Sequence, residues 1–160
     1  MQHSLLHGHG PDYQKIKHVL LVDDSPDDIA LTRRALARAG FTVHLEVFQQ
    51  KEAILQHLSA RQNPSQTVPD LVLIDLSLPK VDGLKLISQI REQPLTRFLP
   101  VVALGTSCDN REVVSCYEAG ASSYIFKATE FTEYAHTLRE VCAYWLNLNI
   151  TPMGSMLIAS

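Results

Sequence analysis

From residue 18 to residue 145 the chain alternates between short apolar runs and longer segments whose apolar residues recur at three- and four-residue steps. The short runs, at 18–22, 42–47, 71–74, 101–104 and 123–126, predict strands. In Leu71-Val72-Leu73-Ile74 successive positions are apolar, as expected for a parallel strand covered on both faces. A helical pattern follows each run. Five strand–helix units in sequence predict a parallel sheet with right-handed crossovers, an α/β architecture. Helix boundaries agree: Ser25 is a candidate N-cap, with Pro26 at the first helical position and Asp28 able to reach back. Gly40 stands where a left-handed C-terminal cap belongs. Gly83 opens a helix with Leu84, Ile87 and Ile90 on one side. Phe131, Tyr134, Leu138, Val141 and Trp145 form an apolar stripe on the last helix. Residues 60–69 form a polar connection, and no internal repeat or second domain is visible.

Outside this region the pattern fades. Residues 1–15, with His3, His7 and His9, are expected to be a flexible leader rather than a metal-binding tract. Residues 149–160 are expected to be a loose tail, leaving 16–148 as one domain. Composition changes the picture mainly by exclusion. An apolar share of 46% supports a packed core, and 19% charged residues are too few for a disordered chain. The net charge of −3, without a basic stripe, argues against nucleic acid as partner. No signal peptide and no membrane-length apolar run appears, so a soluble, cytoplasmic chain is expected. Cys108, Cys116 and Cys142 lack metal-ligand spacing and read as reduced, idle thiols. His18, His44, His57 and His136 fall on separate elements without paired spacing and read as structural or surface residues.

Ligands of open parallel sheets bind beyond the carboxyl ends of the strands, so the polar residues there carry the chemistry. The first strand ends in Asp23-Asp24, the third in Asp75, the fourth in Gly105-Thr106-Ser107 and the fifth in Lys127. A single aspartate at a strand end is usually a turn former or a cap. Three carboxylates and an ammonium, each after its own apolar strand, are much harder to obtain by chance. Crowded carboxylates repel one another, and a hard divalent cation such as Mg²⁺ relieves that repulsion. One carboxylate could then attack phosphorus while fixed positive charge holds the phosphoryl oxygens.

The stretches VLLVDDSPDD, DLVLIDLSLPKVDG, LPVVALGTS and GASSYIFK resemble the response-regulator receiver family, over roughly residues 17–145. The resemblance implies a doubly wound, flavodoxin-like sheet of order 2-1-3-4-5 flanked by five helices. It implies Asp75 as phosphoacceptor, Asp23 and Asp24 as metal-binding acids with Asp24 the direct ligand, and the backbone carbonyl of Ser77 as a further Mg²⁺ ligand. Lys127 would contact the phosphoryl group. Such a protein promotes its own phosphorylation by a histidine kinase and signals through protein contacts; it is not a multiple-turnover enzyme. LPKVDG, LPVVALGTS, YIFK without a following proline, and YWL near the end resemble the small regulators of cyanobacterial phytochromes. That likeness implies a phytochrome-type kinase and a homodimer through the fourth helix, fifth strand and fifth helix.

Two positions depart from the family pattern. Gly105 stands where a Thr or Ser would bind the phosphoryl oxygen and couple it to the fifth-strand aromatic, here Tyr124. Thr106 follows one residue later, and a one-residue shift in a strand reverses side-chain direction; a bend at the exit would be needed to re-aim its hydroxyl. Two outcomes are open: a weakened switch, or phosphorylation uncoupled from Tyr124. The latter would suit a pseudo-receiver that acts as a binding module. Ala128 replaces the proline that many receivers carry after the lysine. An aspartyl phosphatase is disfavoured because Ser77 stands where a second acid is needed.

Overall fold

A computed structural model describes residues 16–60, 68–77 and 82–152. The histidines of the leader, most of the polar connection, the first four residues of the LPKVDG motif and the end of the tail lie outside the described residues. The elements run β1 (Lys17–Val22), α1 (Pro26–Arg38), β2 (Val43–Phe48), α2 (Lys51–Ser59), β3 (Leu71–Asp75), α3 (Gly83–Glu92), β4 (Val101–Gly105), α4 (Asn110–Ala119), β5 (Ser123–Phe126) and α5 (Phe131–Cys142). All strand pairs are parallel and the order is β2-β1-β3-β4-β5, as expected from the sequence.

Side-chain alternation along the strands divides the core in two. Leu20, Val22, Val72, Ile74, Val101 and Ala103 pack on one face against Ile54, Leu58, Leu86, Ile87 and Ile90. Val19, Leu21, Leu71, Leu73, Val102 and Leu104 pack on the other against Ala35, Leu36, Tyr134, Leu138 and Val141. This explains the unbroken apolar runs of β3 and β4, which are buried at every position, while the edge strands β2 and β5 are more open. Gly40 has φ +81° just beyond α1, where a side chain would be strained.

The last helix departs from the expected stripe. After Cys142 the backbone widens into a π-helical turn over Ala143–Leu148, closed by the Asn149 N–H donating to the Tyr144 carbonyl at 2.7 Å. The wider turn advances the buried position by one residue. Leu146 therefore enters the core, while Trp145 is half-buried with its ring edge-on to exposed Tyr144.

Candidate functional site

Three strand ends and one helix start meet at the carboxyl edge of the sheet. Asp75 is the last residue of β3 and is fully buried. Asp23 follows β1, held in line by its N–H donating to the Phe48 carbonyl at 3.0 Å. Lys127 follows β5, with its N–H donating to the Gly105 carbonyl at 2.8 Å. Its side chain crosses the end of β4 to reach Asp75, and Nζ donates to Oδ2 at 2.6 Å. The same ammonium lies 3.0 Å from Asp28 Oδ2 and 4.0 Å from Asp23 Oδ2.

Asp28 is the member that sequence reading assigned elsewhere. Ser25 caps α1 by accepting from the Asp28 N–H at 3.3 Å, but the Asp28 carboxylate turns to Lys127 instead of back to the cap. Its place three residues after the cap was the available signal. Asp23, Asp28 and Asp75 offer carboxylate oxygens within 4.8 Å of one another. Asp24, next in sequence to Asp23, is half-buried and lines an adjoining cleft of about 340 Å³ with Gln49, Gln50 and Glu52.

The electrostatics are unbalanced. Burial, reinforced by the Asp75 carboxylate, pushes Asp23 up to about 6 against the opposing hydrogen bond from the Ser25 N–H. Burial works against the charge on Lys127, yet hydrogen bonds to Asp75 and Asp28 outweigh it and hold the ammonium above the ordinary lysine range. One ammonium cannot neutralise three carboxylates. The all-oxygen donor set and its surplus negative charge fit a hard divalent cation. Ser77 is exposed, and its N–H and hydroxyl donate to Asp75 Oδ1 at 2.8 and 2.5 Å.

At the end of β4, Gly105 is a buried strand residue and Thr106 is exposed, as the one-residue alternation requires. The volume over Gly105 belongs to Tyr124. A Cβ built on Gly105 would overlap the phenol Oη and Cζ and lie 2.9 Å from Cε2. The phenol donates to the Ser107 carbonyl at 2.7 Å and lies 3.1 Å from Glu112 Oε1. Burial, with Glu112 adding to it, pushes this hydroxyl up to about 12. Glu112 was not among the expected site residues. Ala128, after Lys127, is buried against α5 and its neighbours. Cys116 and Cys142 are buried and Cys108 is exposed.

The model of the response regulator receiver domain matches residues 19–139. A probable methanogenesis regulatory protein of Methanothrix harundinacea, FilR2, is 36% identical, over 84% of this chain and 86% of its own. The response regulator Rcp1 of Synechocystis is 28% identical over 85% and 93% of the two chains, and its Mn²⁺-bound crystal structure superposes with a TM-score of 0.70. The phosphorylated cyanobacterial phytochrome response regulator RcpA is 27% identical, with a TM-score of 0.76 over 86% of this chain and 99% of that one. These proteins are regulators, and none of the described helices is long and apolar enough to cross a membrane. With its β2-β1-β3-β4-β5 sheet and the acidic cluster at the strand ends, the chain belongs to the response-regulator receiver domain family and is homologous to phytochrome response regulators.

Proposed function

We propose that this chain accepts a phosphoryl group on Asp75 from a histidine kinase of phytochrome type and passes the signal on through protein contacts. The observation that carries this reading is the buried Asp75 carboxylate at the end of β3 with the Lys127 ammonium 2.6 Å away and two further aspartates around it. An Asp75 oxygen attacks phosphorus as the bond to the donor imidazole nitrogen breaks, giving an acyl phosphate and free histidine. Lys127 follows the charge from the carboxylate to the phosphoryl oxygens, where charge accumulates. Asp23, Asp24, Asp75 and the Ser77 carbonyl would hold Mg²⁺. When bound, Mg²⁺ neutralises the surplus carboxylate charge and draws charge from the phosphoryl oxygens. Thr106 contributes only if the strand exit bends.

α4 and β5 expose Val114, Tyr117 and Phe126, and the turn after α5 exposes Tyr144, which supports homodimer formation or partner binding through α4, β5 and α5. A second reading rests on the Tyr124 phenol already occupying the volume over Gly105. It makes the output face independent of phosphorylation, as in a pseudo-receiver. Light as the input rests on the relatives; FilR2 is named for methanogenesis.

Intact mass after incubation with acetyl phosphate, with and without Mg²⁺ and beside Asp75→Asn, tests the first reading. One Mg²⁺-dependent phosphoryl addition that disappears in Asp75→Asn is expected. A folded protein that takes up no phosphoryl group sinks it in favour of the pseudo-receiver.

A further inference from the structure

A second group of ligand-type side chains lies on the outer strand pair, away from the acidic cluster. In the parallel pairing of β1 and β2, His18 stands opposite His44, and Glu46 follows two residues later on the same face as His44. The rings of His18 and His44 lie 4.9 Å apart. His18, His44 and Glu46 each offer a donor atom within 4.8 Å of the others. His18 Nε2 is 3.2 Å from Glu46 Oε2, and α2 brings His57 Nε2 to 3.4 Å from the same oxygen. The His57 ring is packed on Phe48 at 5.0 Å.

From this juxtaposition we infer that His18, His44 and Glu46 form a binding site for a zinc-type divalent cation, with His57 orienting the Glu46 carboxylate. Two imidazoles and a carboxylate are the donor set that such borderline cations prefer and Mg²⁺ does not. A tetrahedral ion with bonds of about 2.0–2.1 Å spaces its donors about 3.3–3.4 Å apart, close to the His18–Glu46 separation. As a hydrogen bond that separation is at the long end. Among the described residues no lysine or arginine pairs with Glu46, whose ionic contacts are the imidazoles of His18 and His57. His44 is exposed on an edge strand, where rotation of its side chain closes the remaining gap. The His57 contact, at 3.4 Å, stands where an outer partner would orient a metal-binding carboxylate. Such an ion would clip β2 to β1.

The test is calorimetric titration of Zn²⁺ alone into the chelator-stripped full chain, with excess Mg²⁺ present to fill the acidic cluster. Combined His3→Ala, His7→Ala and His9→Ala changes remove the competing leader imidazoles from the background protein. One equivalent is expected to bind this background. His44→Ala and the near-isosteric Glu46→Gln are each expected to weaken it more than about tenfold, and Asp75→Asn to leave it unchanged. Zn²⁺ should also raise the melting temperature of the background but not of Glu46→Gln. Absence of binding in the background, or binding that ignores His44→Ala and Glu46→Gln, overturns the site.

Discussion

Gly105 and Tyr124 share one volume at the end of β4, so the choice of glycine decides where the phenol goes. A side chain at 105 would collide with the ring and drive it outward, away from Ser107 and Glu112. Gly105→Thr is therefore expected to lower the Tyr124 phenol from about 12 toward the ordinary value of about 10. Ultraviolet difference titration against Gly105→Thr carrying Tyr124→Phe isolates that phenol, and an unchanged midpoint would show the ring staying inward. Asp23 yields a pH prediction. Its acidity is weakened in the fold, so between about pH 4 and 6 the native state binds more protons than the unfolded state. Stability from this group accordingly falls as pH rises through that window. In chelator, Asp23→Asn should remove this fall and melt higher than wild type above pH 6. Equal melting temperatures there would contradict it.

At the scale of elements, Arg91 near the end of α3 ties together the loops on either side of β4. Its guanidinium donates to the carbonyls of Thr96, Arg97 and Leu99 before the strand and to the Gly120 carbonyl and Ser122 hydroxyl beyond α4. The planar fork matches these divergent acceptors, and a lysine offers no such geometry. Gly120, at φ +106°, lets the backbone approach, and a Cβ there would lie 2.7 Å from Arg91 Cγ. Arg91→Lys should lower stability by about 2 kcal/mol, read as a lower urea midpoint at unchanged slope. The loss would fall on the position of α4 and β5, and through them on the proposed output face.

For the molecule as a whole, the sheet separates two cores, and each holds one thiol: Cys116 on the α3–α4 side and Cys142 on the α5 side. Burial raises both, Cys116 to about 11 with Glu112 contributing and Cys142 to about 12, so little thiolate exists at pH 8. Iodoacetamide should add one label to the native chain, at exposed Cys108, and three only in denaturant. If one core opened independently of the other, a two-label species would accumulate below the main transition, contrary to a single cooperative unit.

Much of this was readable from local pattern. All five strands came within a residue of the structure because apolar runs and caps are short-range signals. Asp23, Asp75 and Lys127 were legible because each directly follows or ends such a run. Contacts that depend on register between distant segments were not. His18, His44, His57 and Glu46 meet only because β1 pairs with β2 in one register and α2 folds back over them. Asp28 turns toward Lys127 because β5 delivers an ammonium beside the first turn of α1. Leu146 replaces Trp145 in the core because a π turn, invisible to a 3.6-residue period, shifts the buried face. The fold class and the acidic strand ends are written in spacing along one chain, and so could be read before any tertiary contact was known. Tertiary structure alone decided which side chains share a volume, because that depends on packing between elements far apart in sequence.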